Sequence, residues 1–223
     1  MNTIRTHLWR ICLVASGVIL AVGGPMHPDS DAKDSLREEL ATMTADERWV
    51  PGHSLIVVST ILLATGLWIA WRDRVWPERV RRTLGFAAAA VSLYVVETVA
   101  HLAAARDSHA LAHGDAAPVA FTHIGLSVFL YPLTGIAIVA LALSFARAQR
   151  GWRKPIVGLG VLSGTLHAVS VPATLILPDV ELTPVFAGAA LTLAIWSLAT
   201  GLVGAPKRAT APEPAPVAVG SLV

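Results

Sequence analysis

Six apolar runs, at about 11–25, 53–71, 83–105, 121–146, 155–177 and 184–203, divide this 223-residue sequence. A helix needs roughly 20 apolar residues to cross about 30 Å of hydrocarbon, and within that layer every backbone N–H and C=O must be satisfied inside the chain. All but the first run are long enough. The pattern predicts an all-α integral membrane protein with six transmembrane helices, or five if the first run is a cleaved signal. Composition agrees: 54% of residues are hydrophobic, 14% are charged and the mean hydropathy is +0.62, more apolar surface than a soluble domain of this size can hide. The lipid bilayer is the expected partner, and other membrane proteins are candidate ones.

The first run follows Arg5 and Arg10 and ends in small residues around Ala21 and Gly23, as a secretory signal does. Pro25 just beyond the cleavage position, together with Leu8 and Trp9 extending the run, favours a retained helix. Four parts result: 1–24, a first span or signal; 25–52, an acidic outer segment; 53–204, a five-helix transmembrane bundle; and 205–223, a disordered Ala/Pro-rich tail containing APEPAP. In the acidic segment Leu36, Leu40 and Met43 recur at helical spacing and Thr44 to Glu47 offers a capping box, predicting a short amphipathic helix that Pro51 and Gly52 break.

Basic residues fix the expected orientation. Arg72, Arg74, Arg79, Arg81 and Arg82 crowd one loop, and Arg147, Arg150, Arg153 and Lys154 the next but one, so these loops and both termini are expected on the cytoplasmic side of an inner membrane. The opposite segments carry Asp29, Asp31, Asp34, Glu38, Glu39, Asp107, Asp115, Asp179 and Glu181. The arginine accounts for the pI near 9.0; no aromatic-interleaved basic groove accompanies it, and no nucleic-acid partner is expected.

Ionisable groups are costly in lipid, so those near the outer ends of the spans are the functional candidates. His53, His101 and His123 fall within about 8 Å of the outer boundary, and Glu97 and His167 about 12 to 16 Å deep. Tyr94, Glu97 and His101 share one helical face, as do His123, Ser127 and Tyr131, and as do Ser163, His167, Ser170 and Thr174. If the second to fifth spans form a bundle, these stripes converge on an outward-facing site with Glu97 paired to His167, its best partner by depth. The sixth span, without an ionisable group, is expected to be structural or lipid-facing.

With Cys12 the sole cysteine, disulfides and thiolate clusters are excluded, and imidazole with carboxylate suits zinc, copper, iron or manganese. The leading expectation is a transition metal ion or haem b held by His53, His101, His123 and His167, with Glu97 as a further metal ligand, for electron transfer, metal delivery or sensing; Gly160 or Gly164 would make room for a macrocycle. One alternative is a transporter or proton relay using Glu97 and His167; another is a cofactor-free scaffold or assembly factor. The histidine pair His109 and His113 lacks the glutamate of HExxH, and His27 with Asp29 and Asp31 lacks the spacing of a calcium loop. No GxSxG, P-loop or GxGxxG occurs in a supporting context, so the sequence gives no positive reason to read an enzyme.

Overall fold

A computed structural model describes residues 3–29, 34–146, 154–177 and 180–203. The 205–223 tail, with Asp31, Arg147, Arg150, Arg153 and Asp179, lies outside them. The described residues form eight helices: α1 (Thr3–Gly23), α2 (Leu36–Ala45), α3 (Trp49–Arg72), α4 (Glu78–Ala103), α5 (Ser108–His113), α6 (Pro118–Ala146), α7 (Lys154–Ile176) and α8 (Thr183–Val203), with short 3-10 turns after α1 and α4. Six of these stretches are long and apolar enough to cross a membrane.

The six long helices stand in a closed ring in chain order: α1 packs on α3, α3 on α4, α4 on α6, α6 on α7, α7 on α8, and α8 back on α1. The bundle is therefore not limited to the second to fifth spans. The first helix buries Trp9, Cys12, Leu13 and Leu20 within it, and the last, expected to be plain, buries Trp196 completely. Small residues set the spacing. A Cβ on Gly135 would stand 2.4 Å from the Gly164 carbonyl oxygen, so the α6 and α7 backbones touch where only glycine permits it.

Apolar side chains face outward as well as inward: Val18, Val58, Leu93, Phe129, Ile136 and Leu191 are exposed, while Glu97, His53, His123, Ser163 and Ser170 lie among a mostly hydrophobic set of buried residues. An apolar girdle suits lipid, where exposed hydrocarbon costs nothing and polar groups must find protein partners. The ring is filled at the arginine-rich end by Trp9, Leu67, Trp76, Leu84, Leu141 and Phe145.

At the opposite end α2 packs on α5, and Leu40, Trp49, Leu111, Ala117 and Ala120 form a second small core. The capping box lies one helix earlier than the sequence suggested: the Ser35 hydroxyl accepts from Glu38 N while the Glu38 carboxylate accepts from Ser35 N, and Thr44 instead donates to the Leu40 carbonyl inside α2. Pro51 and Gly52 do not break a helix. They sit in the first turn of α3, where an N–H has no intrahelical partner to lose and proline is tolerated. Asp107 caps α6 from a distance, one carboxylate oxygen accepting from Val119 N at 2.7 Å and Ala120 N at 3.0 Å.

Candidate metal centre

Three of the predicted residues on the ring's inner face meet as expected. His53 from α3, His101 from α4 and His123 from α6 lie side by side, with ring centroids 4.4 Å apart for His53 and His101 and 3.8 Å for His101 and His123. His53 and His123 are buried, not the incidental headgroup histidines their sequence positions allow.

Glu97 belongs to this layer, and its partner is His123, not His167. Glu97 Oε1 lies 2.9 Å from His123 Nδ1 and 3.7 Å from His101 Nδ1. The reason is where the helices end. Counted from the end of α4 at Ala103, Glu97 is about 9 Å deep, and His123 is about 7.5 Å from the start of α6 at Pro118, so the two are level. His167 is deeper and apart: it stacks on Tyr131 at 4.5 Å and meets Tyr94 edge-on at 4.8 Å. It lines the same cavity with its Nε2 unpartnered, but is not among the donors that lie within 4.8 Å of one another.

The residue sequence reasoning missed is His27. After α1 the 3-10 turn Gly24–Met26, which starts with Pro25 in its first positions, folds the chain over the ring and puts the His27 ring 5.0 Å from that of His53 and 5.9 Å from that of His101. In sequence it stood beside Asp29 and Asp31 without the spacing of a calcium loop; the signal that could have found it is the Gly-Pro turn before it. Burial lowers the His27 pKa, with the nearby Pro28 carbonyl opposing.

Two triads result, His27–His53–His101 and Glu97–His101–His123, and within each the donor atoms lie within 4.8 Å of one another. Donors 2.0–2.1 Å from a tetrahedral ion stand roughly 3.3 Å apart, so closing on an ion takes side-chain adjustments of an ångström or so. Tautomers are set for it. The Nδ1–H of His53 donates to the Trp49 carbonyl at 2.8 Å and that of His27 to the Pro28 carbonyl at 2.8 Å, which leaves the Nε2 lone pair of each ring for a ligand.

Buried atoms without a hydrogen-bond partner occur at Trp76, Arg81, Ser163, His167, Trp196 and Thr200, outside both triads, and also within the cluster. His53 Nε2, both carboxylate oxygens of Glu97 and His123 Nδ1 are buried without a hydrogen-bond partner. The 2.9 Å approach of His123 Nδ1 to Glu97 Oε1 is an ion-pair distance but is not aligned as an N–H···O bond. Buried polar atoms are otherwise paired in folded proteins, because each unpaired one costs roughly 1–3 kcal/mol.

Trp49 walls the site, fully buried, its ring 4.0 Å from His53 and 5.1 Å from His101 and its Nε1 donating to the Leu102 carbonyl. A cavity of about 530 Å³ runs from the cluster past Tyr94, Tyr131 and Phe186, and its rim carries Asp29, Asp34, Glu39 and Glu181. His109 and His113 stack on α5 at 4.0 Å but are exposed and belong to neither triad.

Neither glycine makes room for a macrocycle, since Gly160 is filled by Trp196 and Ala142, and Gly164 by Gly135 and Val139, and nothing among the described residues supports haem b. Cys12 lies buried in α1, in neither triad. No family model matches the chain, and neither a curated protein nor a solved structure matches it.

Proposed function

We propose that this chain is a multi-pass membrane protein that captures a transition metal ion at the outer end of a six-helix ring, through donors drawn from Glu97, His101, His123, His53 and His27, and holds it for delivery or sensing. The observation that carries this reading is the convergence of His27, His53 and His101, and of Glu97, His101 and His123, from three helices and one turn, with His53 Nε2, His123 Nδ1 and both Glu97 oxygens lacking a well-aligned hydrogen bond. An all-nitrogen-and-oxygen set favours zinc, copper, iron or manganese. The proposed orientation has the arginine-rich loops and both termini inward, which the distribution of Arg72, Arg74, Arg79, Arg81 and Arg82 against Asp29, Asp34, Asp115 and Glu181 supports.

Two features support capture over passage. The carboxylates on the rim of the cavity draw cations toward the histidines, and a cleft with one sign of charge raises the local concentration of the opposite ion. Beyond the cavity the ring is packed with Trp9, Leu67, Trp76, Leu84 and Phe145, which offer a cation no stations. In the proton-relay alternative Glu97 and His167 would act as separate stations, since Glu97 lies beside His123. The apolar stretch of the cavity favours one second reading, a metal centre that acts on a small apolar molecule seated beside Tyr94 and Tyr131.

The test is titration of chelator-stripped, detergent-purified protein with zinc, read by calorimetry and by elemental analysis after gel filtration. Stoichiometric zinc in the wild type, with loss on His101→Ala while helical content by circular dichroism holds, is the expected result. Wild-type protein that stays folded and retains no stoichiometric zinc, copper, iron or manganese would sink the metal reading and favour a cofactor-free scaffold.

A further inference from the structure

We propose that the cluster is a two-ion site in which the His101 imidazole bridges the metals. The proposal rests on the metal reading above and deepens it. His101 is the one residue common to both triads, and the five donors do not fall into a single set within 4.8 Å. Its Nδ1 faces Glu97 at 3.7 Å, on the side where His123 also approaches that carboxylate. The ring lies 4.4 Å from His53 and 5.9 Å from His27, both of which present Nε2 because their Nδ1–H groups are spent on backbone carbonyls.

The two nitrogens of one imidazole point away from each other and cannot reach the same ion. If Nδ1 serves the Glu97 and His123 side, the remaining nitrogen is the donor left for the His27 and His53 side. One ion is then held by Glu97, His123 and His101 Nδ1, the other by His27, His53 and the second nitrogen of His101. For both bonds to form, the ring N–H proton leaves to water and the ring becomes imidazolate; no electron changes hands. Three protein donors on each ion leave a fourth tetrahedral position open, as in sites that exchange or process a ligand. The charge fits this arrangement, since an imidazolate and the Glu97 carboxylate together offset part of the four positive charges of two divalent ions.

The experiment uses the full chain in detergent, stripped and then saturated with zinc for stoichiometry or with Cu²⁺ for spectroscopy. Two zinc ions per chain are expected, falling to one in His27→Ala and, independently, to one in Glu97→Gln. With Cu²⁺, the bridged pair should give an electron paramagnetic resonance intensity well below that of two isolated spins. Should His27→Ala alter gel-filtration behaviour, His53→Gln tests the same half of the site. Saturation at a single ion overturns the two-ion proposal while leaving the metal reading intact, and two copper ions with full, uncoupled spin intensity overturn the bridge. No stoichiometric metal removes both.

Discussion

Replacing Gly164 by alanine puts a methyl group between two touching backbones. The new Cβ would stand 2.5 Å from the Gly135 carbonyl oxygen, 2.8 Å from Val139 Cγ2 and 2.9 Å from Val139 N. Ordinary contact begins near 3.4 Å, so α7 must move off α6 by about 0.9 Å, and neither obstacle on the backbone can rotate away. Overpacking of this kind costs roughly 1–3 kcal/mol. In a chain of this length each kcal/mol moves the melting midpoint by roughly 2–4 °C, so Tm should fall by about 2–12 °C in a detergent melt followed by circular dichroism. Gly158, on the same helix with nothing within 4 Å of an added Cβ, is the control, and Gly158→Ala should not lower Tm. Zinc stoichiometry should be untouched in both, since α7 supplies no donor to either triad. If Gly164→Ala melts with the wild type, or Gly158→Ala falls as far, the contact between α6 and α7 is not the one described.

His167→Gln should leave the zinc count unchanged and lower stability by roughly 0.5–1.5 kcal/mol through the lost stacking on Tyr131, read by elemental analysis beside a melt; a lower zinc count would return His167 to the ligands. The Glu38 carboxyl is held below its ordinary 4.5 by the Ser35 hydroxyl and N–H, so its contribution to the start of α2 is complete above 4.5 and disappears as pH falls through the lowered value. Amide exchange at the first turn of α2 should therefore gain protection with rising pH in wild type, less in Ser35→Ala, which keeps only the N–H, and not in Glu38→Gln. Asp107→Ala leaves the amides of Val119 and Ala120 without their acceptor and should cost roughly 0.5–2 kcal/mol, seen as faster exchange at the start of α6.

The inner-facing stripes were readable because a helix fixes which residues share a side: Tyr94, Glu97 and His101 had to lie together, as did His123, Ser127 and Tyr131. Apolar run lengths likewise gave five of the six long helices and left α1 between a span and a signal. Partner choice was not readable. Depth along a helix is one coordinate, and it depends on where the helix ends; α6 starting at Pro118 and α4 stopping at Ala103 brought Glu97 level with His123. The second coordinate, position around the ring, is set by which helices are neighbours, and α4 packs on α6 but has no comparable contact with α7. His27 escaped for a related reason. Its place is fixed by a turn folding over the ring, which no periodicity encodes. Trp196 shows the converse, since a span without charge looks plain in sequence yet fills the hollow beside Gly160.

The junction of α1 with α8 has a consequence for assembly. Arg10 donates through its guanidinium to the carbonyls of Gly201 and Leu202, and Ser197 to that of Leu13, so the final helix is latched to the earliest one at both levels. During synthesis every imidazole that faces the cluster is already threaded before this latch can shut. Among the described helices, the seam between α1 and α8 is therefore the contact that synthesis completes last, and the ring stays open along it until then.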